Sequence, residues 1–189
     1  MTTRLHLLCS ASTTSVSSIA FAADEPLDPR GRESLPRLRG CLPSCDVVLR
    51  SPALCAAQTA EGLGLDAREE ALLRDCDFGI WAGRTLADVH AQVPEAVAEW
   101  LHNPCAAPHG GESFADVMTR VGEWMDGLLA AQRFVLAITH ATVIRAAIAY
   151  ALGAAAFRHI DVAPLTRTKL SGGGRRWTLA ALVLVKDEG

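Results

Sequence analysis

The sequence predicts an α/β protein, a three-layer α/β/α sandwich on a mostly parallel sheet with an antiparallel edge. Three observations carry this prediction. Short apolar runs alternate with helical patterns, as helices covering both faces of a parallel sheet require. Half of the 189 residues are hydrophobic, enough for the core of one domain, and no linker or internal repeat interrupts them. Near the end, two apolar segments flank Ser171-Gly172-Gly173-Gly174, a hairpin signal that supplies the antiparallel edge. Residues 1–189 are therefore expected to form a single domain.

The elements follow in order. Leu5 to Cys9 is the first buried strand, and the Ser/Thr-rich stretch Ser10 to Ser18 after it is suited to capping or to binding through hydroxyls. Asp24 to Gly31 carries Pro26, Pro29 and Gly31, a turn and helix-start signal, and a short helix interrupted by Pro36 follows over Arg32 to Arg39. Asp46 to Arg50 is a second strand. Ser51 is expected to cap the next helix, with Pro52 as its first residue and an end near Glu61. A short third strand is placed within Ala67 to Leu73. Thr85 caps a helix after the loop from Asp77, and Pro94 to Leu101 is another helical piece. Asn103 to Gly111 is a surface loop by composition. From Ser113 to Ala131, Phe114, Val117, Val121, Trp124, Met125 and Leu128 recur at threes and fours, the clearest amphipathic helix. Phe134 to Thr139 is a further strand, and the apolar helix opened by Ala141 or Thr142 stops at Gly153.

Composition narrows the function classes. The formal net charge is -3 with both signs mixed along the chain, so no polybasic surface for nucleic acid or anionic lipid is expected. The apolar run over 147–157 is bounded by Arg145, Arg158 and His159 and is too short to span a bilayer, which needs about 20 residues. The opening apolar run reads as a strand, not as a secretory h-region. With six cysteines in a chain large enough to fold without staples, the expectation is a cytoplasmic protein with reduced thiols. No cofactor is required.

In a parallel sheet, ligands sit beyond the carboxyl ends of the strands. Three loops leave strand ends with polar residues: Cys9-Ser10-Ala11-Ser12, Arg50-Ser51 and Thr139-His140-Ala141. Each alone is explained by helix capping; together they point to a shared pocket.

Their wider setting adds a family. Cys9-Ser10-Ala11 closes the first strand, and Leu27-Asp28-Pro29-Arg30-Gly31 forms a turn. Ser51-Pro52-Ala53-Leu54-Cys55-Ala56-Ala57-Gln58-Thr59-Ala60 opens a helix, and Leu73 to Gly83 contains Asp75 and Phe78-Gly79-Ile80-Trp81. Gly110-Gly111-Glu112-Ser113 and Thr139-His140-Ala141-Thr142-Val143-Ile144-Arg145 complete the series. In order and spacing, from Arg4 to about Val185, this chain resembles the histidine phosphatase superfamily, the phosphoglycerate mutase-like proteins. The resemblance implies their fold. It also implies their chemistry, in which an Arg-His-Gly histidine attacks phosphate, two arginines and a second histidine hold the phosphoryl oxygens, and an acid protonates the leaving group. Carried over, the nucleophile falls on Ser10, the two arginines on Cys9 and Cys55, the second histidine on His140, the acid on Asp75 and a pocket glutamate on Glu112.

Cysteine cannot replace the bidentate, charge-assisted grip of arginine on a phosphate dianion. Losing two guanidiniums and an imidazole removes most of the field that stabilises phosphoryl transfer. The leading reading is a degenerate member without phosphohistidine catalysis, binding a small ligand, such as a phosphorylated metabolite, or a partner in the former phosphate pocket. Its candidate residues are Cys9, Ser10, Cys55, Glu112, Thr139 and His140. A second reading is a phosphomonoesterase or mutase-like phosphotransferase with a rebuilt site. There His140, Asp75 and Ser10 would be catalytic, with Ser10 served by His140 as base and Asp75 or Glu112 behind it, and Arg50, Arg84 or Arg145 would restore positive charge. A third is a thiol or metal site, with Cys9 and Cys55 either forming a disulfide or joining His140 and a carboxylate around zinc. His109 is a candidate for the pocket mouth, whereas core packing is the default for Phe78, Trp81 and Trp100. Residues 94–110 would lie over that mouth. The edge of the final hairpin offers a route to a homodimer.

Overall fold

The computed structural model describes residues 2–131, 133–153, 160–174 and 176–185. The segment with Arg158 and His159, expected to bound the apolar run, lies outside the described residues.

One sheet of six strands organises the molecule, in the order β3-β2-β4-β1-β5-β6. These are β1 (Thr3–Cys9), β2 (Val47–Arg50), β3 (Arg68–Glu69), β4 (Phe134–Thr139), β5 (Thr166–Gly173) and β6 (Arg176–Leu184). The strands β1 to β4 pair in parallel, while β5 runs antiparallel to both β1 and β6. The central parallel strand is apolar because both of its faces are covered, all six residues of β4 being buried, whereas the edge strand β3 is charged and exposed. Side chains alternate across the sheet, so Leu5, Leu7 and Cys9 enter one core cluster and Leu8 enters the other.

Helices α1 (Thr14–Ser18), α2 (Pro29–Ser34), α3 (Leu54–Leu63), α4 (Leu86–Gln92), α5 (Pro94–His102), α6 (Phe114–Leu128) and α7 (Ala141–Leu152) connect the strands. The larger cluster joins the sheet to α4, α5, α6 and α7, and the smaller joins it to α2 and α3. That is the expected mixed α/β arrangement. The expected caps at Thr85 and Gly153 are also found, and Ser113, expected as the first residue of its helix, is that helix's N-cap. Thr85 accepts from Asp88 N, Ser113 and Asp116 form a reciprocal capping box, and Gly153 closes α7 in the left-handed conformation.

Two expectations are corrected. Ser51 does not cap α3: the N-cap is Ala53 and the helix begins at Leu54. The hairpin turn does not occupy Ser171 to Gly174, because β5 continues through Gly173 and pairs as far as Arg176. Gly172 is a strand residue for packing reasons. A side chain there would meet Leu129 and Trp177, at 2.6 and 2.9 Å from the Cβ position.

Candidate functional site

At the carboxyl ends of β1 and β4 lies a cavity of about 1100 Å³. Cys9, Ser10, Cys55, Asp75, His140 and Arg145 line its floor region. Backbone pairing positions the floor. Cys9 is in register with Thr139, Ser10 N donates to Thr139 O at 2.8 Å, and Leu165 N donates to Cys9 O at 3.1 Å. Thr59 ties the loop after β1 to α3, taking Ala11 N at 3.0 Å and donating to Cys55 O at 2.7 Å.

The side chains on this floor are neutral where the resemblance implies cations. Cys9 and Cys55 are free thiols. Burial, with the nearby Asp75 carboxylate adding to it, pushes Cys9 up to about 12. Burial pushes Cys55 up to about 11 despite a hydrogen bond with Ser10. Both therefore stay protonated near neutral pH and are poor nucleophiles and ligands in that form.

His140 is held by Ser51 and faces Asp75. Its Nε2 is hydrogen-bonded to Ser51 Oγ at 2.8 Å, and its Nδ1 lies 3.6 Å from Asp75 Oδ2. Ser51 Oγ already accepts from Ala53 N at 3.2 Å, so its hydroxyl proton is free to point at the imidazole. The string Ser51-His140-Asp75 has the order of a hydrolase triad, yet Ser51 is fully buried and stands outside the cavity wall. Sequence reading missed this partner of His140. Ser10, expected to use His140 as base, bonds with Cys55 instead.

Two proposed ligand-binding residues lie elsewhere. Thr139 is completely buried and donates to Leu73 O at 2.7 Å. Glu112 is taken by two arginines, Arg74 at 2.7 Å and Arg120 at 2.9 Å. Neither residue lines the cavity. Arg120 is buried on α6 and also donates to the carbonyls of Leu72, Arg74 and Asp75. This bracket holds the segment that presents Asp75. The sequence carried a signal for it: Arg120 sits three residues after Val117 on the apolar stripe of α6, where a charge needs a partner. Gly111 brings the second half of the bracket close, since a side chain there would run into the Asp77 carbonyl. Glu112 N then donates to Asp77 O at 2.8 Å.

His109 is also displaced from its expected place. It is buried against Phe78 and Trp81 behind the cavity, and burial lowers its pKa. Trp81 belongs to the core as expected, whereas Phe78 and Trp100 reach the cavity wall. Of the candidate arginines, Arg50 pairs with Glu69, and neither it nor Arg84 lines the cavity. Arg145 does line it, with Nε donating to Ile160 O at 2.9 Å. The zinc set is not assembled. Among the described residues no three His, Cys, Asp or Glu side chains are grouped to hold a metal. The reason is local: His140 is held by Ser51, and Glu112 by its arginines.

A sequence model described as histidine phosphatase superfamily (branch 1) matches residues 10–184. The chain belongs to the histidine phosphatase superfamily. It is 34% identical over 125 residues to a bifunctional protein of Mycobacterium tuberculosis, a match covering 63% of this chain and 34% of that protein. It is 40% identical over 65 residues to the glucosyl-3-phosphoglycerate phosphatase of the same species, covering 34% of this chain and 29% of the relative. The matches thus span about a third of these curated relatives' length. The solved mycobacterial glucosyl-3-phosphoglycerate phosphatase superposes with a TM-score of 0.83 at 27% identity, covering 98% of this chain and 99% of that one. A putative alpha-ribazole-5'-P phosphatase from Escherichia coli gives 0.84 at 25% identity, covering 98% and 97%. Among the described residues, no helix of this superfamily member is long and apolar enough to cross a membrane.

Proposed function

We propose that this chain is a superfamily member whose cavity binds a small organic ligand without phosphohistidine chemistry. The floor carries this reading: Cys9, Ser10 and Cys55, all uncharged, face the cavity where the resemblance implies two arginines and the nucleophilic histidine. Ser10 has no imidazole at hand, because His140 is engaged by Ser51. Without a nucleophile, its base and the guanidinium clamp, a phosphoryl group has neither an attacking atom nor stabilisation for its developing charge. The cavity is as large as those that enclose drug-sized ligands.

A phosphomonoesterase with a rebuilt site is the second reading. His140 and Asp75 stay adjacent in the same cavity as Arg145, and several relatives are named as phosphatases. Hydrolysis of p-nitrophenyl phosphate separates the two. The wild type is expected to stay at the buffer rate, and the triple variant Cys9→Arg/Ser10→His/Cys55→Arg to rise by on the order of a thousandfold. Wild-type turnover that His140→Ala abolishes would replace the first reading with the second.

A further inference from the structure

The cavity's charge balance says what kind of head group it accepts. Five carboxylates line it, from Asp24, Glu25, Asp75, Asp77 and Asp161, against the single guanidinium of Arg145 among the described residues. That guanidinium donates its Nε–H to Ile160 O, and its Nη2 lies 4.0 Å from Asp161. Asp75 sits deepest. Its side chain is 20% exposed, its Oδ1 accepts from Cys76 N at 2.8 Å, and its Oδ2 lies 3.6 Å from His140 Nδ1 and accepts no hydrogen bond among the described residues. No lysine or arginine pairs with it among the described residues. Beside it, the buried Cys9 thiol faces the cavity without a hydrogen-bond partner among the described residues. A half-buried carboxylate in a partly apolar chamber repels a phosphate dianion and attracts a cation. The walls above suit the rest of such a molecule, because Phe21, Phe78, Trp100 and Phe114 line them and aromatic rings also favour cations.

We infer that the ligand is an amphipathic amine, with its ammonium ion on Asp75 and its apolar or aromatic body against Phe21, Trp100 and Phe114. The inference rests on the reading of the cavity as a small-molecule site and adds the ligand's charge and shape. The ammonium donates to Asp75 Oδ2, the oxygen without a close partner. Arginine at either cysteine position would neutralise this carboxylate, so the two cysteines and the cation preference belong together.

Calorimetry with matched probes tests it on the full chain: 2-phenylethylamine, 2-phenylethanol and 2-phenylethyl phosphate, and the octyl series alongside. The amine is expected to bind about tenfold more tightly than the alcohol, and the phosphate more weakly than both. The amine's advantage shrinks with added salt and vanishes in Asp75→Asn, while alcohol binding in that variant persists and certifies its fold. Amine and alcohol binding equally would overturn the cation inference and leave the small-molecule reading standing. Tightest binding of the phosphate ester would overturn the cation inference alone, and its hydrolysis would overturn both. Absence of binding in both series also refutes the amine.

Discussion

The floor of the cavity and the bracket behind it have opposite characters. In the bracket, Glu112 is gripped by Arg74 and Arg120, and Arg120 spends its remaining donors on backbone carbonyls. On the floor, Cys9 lacks a hydrogen-bond partner among the described residues and Cys55 has only the Ser10 side chain and the Ala56 backbone. The bracket retains Gly-Gly-Glu-Ser intact, while the floor keeps Asp75 and His140 but has Cys9, Ser10 and Cys55 where the family resemblance implies two arginines and the nucleophilic histidine. The difference teaches where substitution is tolerated. A buried charge with several partners cannot change alone without orphaning them, whereas a side chain facing a cavity can change with little consequence for the fold.

The largest expected effect lies in the bracket. Arg120→Ala leaves Glu112 half-buried beside Arg74 alone and strips three carbonyls of their donor; urea unfolding should show a loss of about 3–5 kcal/mol. Next is Ser51→Ala, which leaves His140 Nε2 buried without a partner and should cost about 1–3 kcal/mol in the same measurement. A loss as small as that of a floor substitution would erase the distinction between bracket and floor.

A third region calibrates the other two. His6 on β1 faces Arg4, Arg167 and Lys169, and burial first and these charges second lower it to about 4. The unfolded chain, with an ordinary value of 6.5, binds the proton more readily between these limits. Stability from this residue is thus whole above 6.5 and is lost as pH falls toward 4. Replacing His6 by Gln should flatten that slope by about 1 kcal/mol once partial exposure is allowed for. The smallest effect belongs to the floor: Cys9→Ala and Cys55→Ala should each shift stability by less than about 1 kcal/mol. Their raised pKa values also predict alkylation by iodoacetamide at pH 7.5 at least about tenfold slower than that of the exposed Cys105.

Much of the fold was legible because its signals are local. The apolar run of β4, the threes and fours of α6, and the caps at Thr85 and Gly153 each depend on neighbours a few residues away. The site was less legible because its partners are remote. Ser51 and His140 are 89 positions apart, and Arg74 and Glu112 are 38 apart. A serine before Pro52 reads as a cap, and only the packing of β2 beside β4 reveals a hydrogen bond to an imidazole. Glu112 was assigned to the pocket because its motif borders it, yet the direction of its carboxylate is set by Arg120 on a different face. The three glycine-region residues Ser171, Gly172 and Gly173 read as a turn by composition; Trp177 and Leu129 leaning on Gly172 explain why they are strand.

Cys9 closes a strand clamped on both flanks, by β4 running with it and β5 running against it, and its carbonyl is held by Leu165. The backbone at this point is fixed by residues that take no part in chemistry. Whatever side chain occupies position 9 is therefore delivered to the same spot above the sheet, whether thiol, guanidinium or hydroxyl. Such a place works as a socket: inherited architecture supplies the aim, and a single codon supplies the reagent.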